Sequence, residues 1–260
     1  MIITLSPSKG QDFDTATPSN IHSQADFLQQ TETLMKTCRK LNPTDLKNLM
    51  NISDNIADLN FQRFQNFNLP FTPQNAKAAL FAFKGDVYSG INKWEYSEQD
   101  LHYAQDHLRI LSGLYGALRP MDLIQAYRLE MKTKLKTAKA DNLYQFWGNK
   151  VTEQINQALE QQKEKTLVNL ASNEYFKVIK PKLLTGRLLN IAFKEIKGDK
   201  MRVIAIFAKR ARGMMTDFIL RNQIEKAEDI KAFNSANYQF DQKNSTEQLW
   251  VFSRLQPPKK

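Results

Sequence analysis

Apolar residues follow two patterns along this chain, one typical of amphipathic helices and one of buried strands. Between residues 21 and 41 they recur at helical spacing, at Ile21, Phe27, Leu28, Leu34, Met35 and Leu41. Continuous or alternating apolar runs predict strands over residues 1–5, 166–172, 188–196, 201–208 and 248–255. The sequence KGDK between the third and fourth of these runs is typical of a β-hairpin.

Capping residues mark where several helices begin. Pro43 opens a helix through Met50, and Ser97 with Asp100 forms a capping box for a helix to about Leu108. We expect further helices over 143–162, capped by Asn142, and over 208–223 and 225–233. Residues 71–83 begin as a helix and end as a strand, whereas 108–124 hold too many Gly and Pro residues for one continuous element.

No repeat, low-complexity linker or change of composition divides the 260 residues. Hydrophobic residues make up 42% and charged residues 25%, as in ordinary globular proteins. We therefore predict one domain of mixed α/β (α+β) class over residues 1–260, with a frayed tail over 252–260.

Positive charge is concentrated in one part of the chain. Of a formal net charge of +10, the segment from Lys177 to Arg212 carries eleven Lys or Arg against two acids, Glu195 and Asp199, hence +9. Such a concentration favours an anionic partner, and phosphate backbones are the commonest candidate. A solvated basic face without a ligand is the alternative.

Other features exclude several classes of protein. No apolar run approaches the roughly 18 residues of a membrane span, and the first ten residues lack the pattern of a signal peptide. A single cysteine, Cys38, excludes an internal disulfide. We therefore expect a cytoplasmic protein without a membrane partner.

The sequence gives no support for a metal site or a catalytic triad. His102 and His107 are five residues apart, which does not place them on one helical face, and His22 is remote. No GxSxG motif is present, and Cys38 lies in a predicted helix where burial is expected. We predict no metal and no cofactor, and a redox role for Cys38 stays open.

Three loops have features of phosphate-binding sites. SPSKG (6–10) places hydroxyl groups and Lys9 after the first strand, and FKGDVYSG (83–90) contains Asp86. LSGLYG (111–116) resembles the hairpin of helix-hairpin-helix DNA binders, with one extra residue. There, Gly113 and Gly116 would let backbone N–H groups approach a phosphate. An ordinary turn and a glycine-kinked strand are the alternatives.

Three further segments, 127–131, 169–182 and 207–215, carry more polar groups than folding requires. Their candidate site residues are Arg128, Glu130, Asn173, Glu174, Lys177, Lys180, Lys209, Arg210 and Arg212. The last three fall at the start of a predicted helix, where basic side chains oppose the helix dipole. A bound anion would relieve that cost, so the pattern favours a functional site.

Six segments in a common order resemble the YaaA peroxide-stress family. They are LSPSK (5–9), FKGDVYSG (83–90), LRILSGLYGALRPMDLIQAYRLEM (108–131), LYQFWG (143–148), VNLASNEYFK (168–177) and FAKRARGMMTDFI (207–219). The resemblance runs to about Phe240 and includes rare residues such as Trp147. The sequence departs from the family pattern at Ala126, which replaces a proline, and at Ser8 and Gly10 in SPSKG. It departs again at Ala236 and Asn237, which replace an acidic residue and a glycine.

The resemblance implies a bacterial protein that protects cells from hydrogen peroxide by limiting free iron and oxidative DNA damage. It also implies one α/β domain of unusual topology, the cantaloupe fold, with a basic cleft, a helix-hairpin-helix element and affinity for DNA. Carried over by position, LSGLYG would be the DNA-contacting hairpin. The cleft would use Lys9, Arg109, Arg128, Lys177, Lys209 and Arg212.

Three hypotheses about function follow. The first is a monomeric, non-catalytic protein that binds duplex, distorted or single-stranded DNA through phosphate contacts. The second is an enzyme acting on damaged DNA or a nucleotide with lyase- or glycosylase-like chemistry. Its catalytic candidates are Lys9, Asp86, Glu130 and Glu174, and their convergence with Arg128 and Lys177 in one pocket would favour it. The third, an iron-binding protein, is disfavoured because suitable ligands are lacking and the net charge is positive.

Overall fold

The fold is built around a mainly parallel β-sheet, as a computed structural model describes it for residues 1–258. Five parallel strands lie in the order β12 (Leu249–Leu255), β9 (Arg187–Lys197), β8 (Thr166–Asn169), β1 (Ile2–Leu5) and β5 (Leu108–Ser112). Antiparallel strands adjoin them: β6 (Gly116–Leu118) pairs with β5, β10 (Lys200–Arg202) with β9, and β11 (Gln239–Phe240) with β12. The residues of the central strand β1 are all buried, as expected for a strand covered on both faces.

Two short antiparallel pairs lie outside this sheet. One joins β2 (Gly10–Gln11) to β4 (Phe83–Lys84), and the other joins β3 (Lys77–Ala78) to β7 (Leu123–Ile124). The first pair brings the loop after β1 beside the segment 83–90. It therefore joins two of the loops that the sequence singled out.

The helices include several with the predicted caps. They are α1 (Leu28–Cys38), α2 (Pro43–Met50), α3 (Asp54–Asn66), α4 (Ala79–Ala82), α5 (Glu98–His107), α6 (Leu143–Trp147), α7 (Lys150–Glu160), α8 (Asn173–Phe176) and α9 (Ala205–Arg221), with 3₁₀ turns at 88–90, 93–95, 181–183, 227–232, 235–237 and 242–244. The capping box of Ser97 and Asp100 is confirmed at α5, and the Asn142 side chain accepts a hydrogen bond from the Gln145 N–H at α6. No helix within residues 1–258 is long and apolar enough to cross a membrane.

Several predicted boundaries are wrong for local reasons. The helix predicted over 143–162 is divided at Gly148, whose φ of 53° ends α6. The strand predicted over 201–208 ends at Arg202, and the chain enters α9 at Ala205. Residues 252–255 pair with β9 rather than fray, and residues 259–260 of the predicted tail lie outside the described part.

The segment LSGLYG forms a buried β-hairpin, not a helix-hairpin-helix element. Ser112 of β5 pairs with Gly116 of β6, and residues 111–116 are all buried, so their N–H groups do not face solvent. A Cβ on Gly113 would lie 2.2 Å from the Leu129 carbonyl oxygen. Gly116 has φ +74°, and a Cβ there would lie 2.8 Å from the Phe27 ring. Both glycines therefore serve close packing.

Parallel pairing brings the ends of several strands to one edge of the sheet. Loops 6–9, 170–177 and 198–199 follow the carboxyl ends of β1, β8 and β9. In open α/β sheets, ligands bind beyond these carboxyl ends. The sheet thus collects two of the predicted polar segments, 6–10 and 169–182, at one edge, which we call the carboxyl edge.

Candidate functional site

A buried carboxylate binds three cationic side chains at the carboxyl edge. Glu130 Oε1 lies 3.0 Å from Lys9 Nζ and 3.0 Å from Arg128 Nη2, and Glu130 Oε2 lies 3.4 Å from Lys132 Nζ. Burial alone would raise the pKa of Glu130, but the hydrogen bonds and charges of Lys9 and Arg128 outweigh it, so that the pKa is lowered. The carboxylate is therefore ionised and holds the cations in place.

Glu174 extends this arrangement to helix α8, which follows β8. One of its carboxylate oxygens lies 3.8 Å from Lys132 Nζ, and the other accepts the Lys132 N–H at 3.4 Å. We call Lys9, Arg128, Glu130, Lys132 and Glu174 the Glu130 network. With three cations and two carboxylates, the network has a net charge of +1.

Hydrogen bonds between loops fix the backbone beneath the network. The Ser172 N–H donates to Ser6 Oγ at 2.8 Å, and the Tyr88 hydroxyl donates to the Ser6 carbonyl at 3.1 Å. The Tyr127 N–H donates to Gln11 Oε1 at 3.1 Å. Because these bonds cross between the segments that carry the charges, the network is preorganised rather than assembled from independent mobile side chains.

Lys177 and Asp86 flank the network. The Lys177 ammonium lies 5.2 Å from the centre of the Tyr144 ring, a cation–π distance, and the Tyr144 hydroxyl donates to the Glu174 carbonyl at 2.8 Å. Asp86 pairs with Lys209 of α9 at 3.5 Å. The structure therefore brings Lys9, Arg128, Glu130 and Glu174 into one network and places Lys177 and Asp86 beside it.

Helix α9 is held against the segment 83–90 by two glycines. A Cβ on Gly213 would lie 1.8 Å from the Val87 carbonyl oxygen, and one on Gly90 would lie 2.5 Å from the Arg210 carbonyl oxygen. Only glycine permits this approach of backbone to backbone. The contact carries Lys209 and Arg210 to the loop that also holds Asp86.

Seven basic side chains lie on or beside α8, the β9–β10 hairpin and α9. Within residues 1–258, none of them forms an ion pair. We call this set the basic edge; it comprises Lys177, Lys194, Lys197, Lys200, Arg202, Arg210 and Arg212. Glu195 does not offset it, because that buried carboxylate is paired with Arg254 at 3.0 Å. The exposed members of the basic edge are thus free to meet an anion, whereas the Nε atom of Arg212 is buried.

Three predicted phosphate-binding positions lie elsewhere. Arg109 is 8% exposed and its guanidinium donates to the carbonyls of Gln105 and Leu108, both at 2.9 Å, near the amino ends of the parallel strands. Burial lowers the pKa of Arg109 to about 10. Gly113 and Gly116 are buried in the β-hairpin described above. Arg109 therefore caps a helix end and does not belong to the carboxyl edge.

Lys180 has no contact with the Glu130 network; its N–H donates to Thr152 Oγ1 on α7 at 2.9 Å. Conversely, Lys132 belongs to the network although the sequence analysis did not select it. In an extended segment, alternate residues share one face, and Arg128, Glu130 and Lys132 are spaced in that way. This spacing is the signal that identifies Lys132.

Comparison with known proteins assigns the chain to a family. A family model described as peroxide stress protein YaaA matches residues 1–244. The chain belongs to this family. The family match supports a role in the oxidative stress response, and it confirms the resemblance drawn from the six sequence motifs.

Full-length relatives show similar agreement. A UPF0246 protein of Aliivibrio fischeri strain MJ11 is 49% identical over 254 residues, which cover 98% of each chain. A UPF0246 protein of Shewanella pealeana is 48% identical over 254 residues, 98% of this chain and 99% of the relative. One of Alteromonas mediterranea is 47% identical over 256 residues, again 98% and 99% of the two chains. The similarity therefore includes the whole carboxyl edge.

Proposed function

We propose that this member of the YaaA family is a monomeric cytoplasmic protein that binds DNA at the basic edge during peroxide stress. The observation that carries this proposal is the collection of unpaired Lys and Arg side chains at the carboxyl edge. Their charges meet no acidic partner within residues 1–258, so a polyanion is the ligand that they fit. Elution on size-exclusion chromatography with light scattering at 30.1 kDa tests the monomer.

Phosphate contacts would supply most of the affinity. Each phosphate neutralised releases counterions and contributes roughly 0.9 to the slope of log K against log salt concentration. The Glu130 network lies beside the basic edge and adds two exposed ammonium groups, since the side chains of Lys9 and Lys132 are 60% and 63% exposed. Affinity is expected to fall steeply as salt rises.

The test is a comparison of two double variants that remove the same charge. Arg202→Ala with Arg210→Ala removes two exposed cations of the basic edge, whereas Lys36→Ala with Lys40→Ala removes two exposed cations at the end of α1. We expect the first pair to reduce the salt slope by about 1.8, two phosphate contacts at roughly 0.9 each. We expect the second pair to leave the slope unchanged.

Fluorescence anisotropy with a labelled 20-base-pair duplex at several salt concentrations measures both slopes. An equal reduction of the salt slope in the two double variants would mean that only net charge matters, and it would contradict a site at the basic edge. Absence of binding by the unaltered protein would refute the proposal altogether.

A second candidate function, an enzyme acting on damaged DNA, is favoured by one observation, the convergence of Lys9, Arg128, Glu130 and Glu174. A Schiff-base lyase would use the Lys9 amine to attack the aldehyde of an abasic site and release water. In the structure, however, Lys9 Nζ forms an ion pair with Glu130 Oε1 at 3.0 Å, and this contact would have to break before the amine could attack. Borohydride reduction with abasic-site DNA decides the question, because only a Schiff base yields a covalent adduct that Lys9→Ala abolishes.

We infer that any effect on free iron is indirect. No group of three or more His, Cys, Asp or Glu side chains in the described part of the chain is arranged to hold a metal ion. Free iron in peroxide-treated cells, measured by electron paramagnetic resonance, should rise when the Arg202→Ala, Arg210→Ala variant replaces the natural protein. An unchanged iron level would separate DNA binding from iron control.

A further inference from the structure

A second pocket adjoins the Glu130 network across the β2–β4 pair. Asp12, Phe81, Lys84, Tyr88, Lys93 and Trp94 line it, and we call it the Trp94 pocket. Its wall is shared with the network, because Lys84 pairs with Gly10, the residue that follows Lys9. At the next residue, Gly85, a Cβ would lie 2.7 Å from Ser8 Oγ.

The indole of Trp94 is held in place but remains partly open to solvent. Trp94 is 45% exposed, whereas Trp147 and Trp250 are 0% and 3% exposed. Its ring packs on Phe81 with ring centres 5.3 Å apart and an interplanar angle of 50°. The ammonium groups of Lys77 and Lys93 lie 5.9 and 5.7 Å from the centre of the indole. A large flat apolar surface is therefore presented at a fixed angle.

Positive charge beneath this ring exceeds the negative charge. Lys93 is 5% exposed, and its ammonium donates to the carbonyls of Leu80 and Phe83 at 2.7 and 2.6 Å. Lys77 donates to the Asp12 carbonyl at 2.9 Å and lies 3.7 Å from its carboxylate. Within residues 1–258, Asp12 is thus the one carboxylate lining the pocket, beside two buried ammonium groups and the exposed Lys84.

Mutual repulsion of the two ammonium groups agrees with this imbalance. Burial and the charge of Lys77 lower the pKa of Lys93 to about 8. A negatively charged ligand near Lys84 would offset the repulsion. Core packing explains Phe81 and Tyr88, but it does not require an exposed indole above buried cations.

We propose that the Trp94 pocket binds one nucleotide unit, with the base stacked on Trp94 and its phosphate between Lys84 and Lys9. This inference rests on the proposed function and deepens it, since it names an unpaired base as the preferred part of the ligand. Aromatic side chains accept every base because each base has a π-face. A base within an intact duplex is already stacked on both faces and cannot enter the pocket.

The test compares Trp94→Ala, Trp94→Phe and the control Leu59→Ala, which removes another exposed apolar side chain, 49% exposed. Loss of one base–aromatic stack is worth about 1–3 kcal/mol, or roughly 5- to 150-fold in affinity. We expect Trp94→Ala to weaken binding of a single-stranded 12-mer within that range. Binding of a fully paired duplex should change less than twofold, and Trp94→Phe should be intermediate.

Anisotropy measures these affinities, and 2-aminopurine at one unpaired position reports stacking directly through its quenching. If Trp94→Ala weakens the binding of duplex and of single strand equally, or weakens the binding of neither, the stacking site is refuted. Binding of duplex and single strand that is equally insensitive to Trp94→Ala would refute this inference while leaving the proposed function standing.

Titration with a free nucleotide tests the pocket independently of DNA binding. Titration with dAMP should quench the tryptophan fluorescence of the protein, and Trp94→Phe should abolish the quenching because Trp147 and Trp250 are buried. Quenching by dAMP in a protein that binds no DNA would support the pocket and refute the proposed function. Absence of quenching by both dAMP and the 12-mer would refute the pocket.

Discussion

The substitution Gly213→Ala tests how helix α9 is positioned. In an isolated helix the change would stabilise by about 1 kcal/mol, because alanine has the higher helix propensity. In this protein the new Cβ would lie 1.8 Å from the Val87 carbonyl oxygen. Real Cβ atoms essentially never come within 3.0 Å of such a neighbour, so helix and loop must separate by at least about 1.2 Å.

Steric cost outweighs helix propensity in this comparison. Overpacking of a close contact costs roughly 1–3 kcal/mol. The cost here lies at the upper end of that range, because the neighbour is the backbone carbonyl of Val87, which cannot rotate away as a side chain can. Subtracting the propensity gain of about 1 kcal/mol leaves a net destabilisation of about 2 kcal/mol. For a domain of this length, that corresponds to a fall in Tm of about 5 °C.

The same separation reaches the candidate site. Lys209 and Arg210 precede Gly213 by one helical turn, and Asp86 precedes Val87 by one residue. Displacing α9 should therefore break the contact of Lys209 with Asp86, which is 3.5 Å long. DNA affinity is expected to fall along with stability, although no charged residue has been changed.

Gly198→Ala provides the control. Gly198 has φ +57°, and a Cβ there would meet no atom within 4 Å, so only backbone strain of about 1 kcal/mol is expected. Thermal unfolding followed by circular dichroism, with urea titration for the free energy, measures both variants. If Gly213→Ala is as stable as the unaltered protein, helix propensity has prevailed and the close contact of α9 with residues 83–90 is refuted.

Three further predictions concern single residues. Glu130→Gln should lower the unfolding free energy by about 2 kcal/mol at pH 7, because the ion pairs of a buried carboxylate are lost. The loss is moderate because the side chains of Lys9 and Lys132 are more than half exposed, so that solvent screens their charges. Since the folded-state pKa of Glu130 is lowered, its contribution exists above the unfolded value of about 4.3 and is lost as pH falls through the folded pKa. Urea titrations at pH 7, 5 and 3 check this, and a difference that does not shrink as pH falls would contradict it. Ala236→Gly should raise Tm by about 1–2 °C, because φ is 53° at Ala236 and glycine relieves this left-handed strain. The relief exceeds the entropy cost of glycine by about 0.5 kcal/mol. Calorimetry showing a lower Tm would count against the strain. Cys38 should not react with Ellman's reagent at pH 8 in the native protein, because burial raises the pKa of its thiol to about 12; rapid stoichiometric reaction would reopen a redox role.

Local signals in the sequence predicted the elements whose boundaries depend on nearby residues. The capping box at Ser97, the cap at Asn142 and the hairpin at KGDK all involve contacts within a few residues, and each is present. Helix α3 escaped prediction because no strong start signal precedes it, and the Ser53 side chain makes no capping hydrogen bond. Mixed α/β class followed from the apolar runs alone.

Tertiary contacts explain what the sequence did not reveal. LSGLYG has the composition of a solvent-facing phosphate loop, but its glycines are required by the Leu129 backbone and the Phe27 and Trp147 rings. Arg109 was selected because it is basic, whereas burial turned its guanidinium toward backbone carbonyls. In both cases the same residue type satisfies a packing role and a binding role, and only the fold separates them.

A carboxylate at the centre of the proposed anion site would by its charge alone oppose binding, yet it orders the cations around it. Without Glu130, the charges of Lys9, Arg128 and Lys132 would repel one another, and the long side chains would spread into solvent. Through its contacts of 3.0–3.4 Å, one carboxylate fixes three cations while leaving a net charge of +2 among the four groups. Because Glu130 already holds these cationic side chains in place, they lose less conformational entropy when a phosphate binds. On this reasoning Glu130→Gln raises the charge of the site by one but does not raise DNA affinity in proportion, because the ordering of the three cations is lost with the carboxylate.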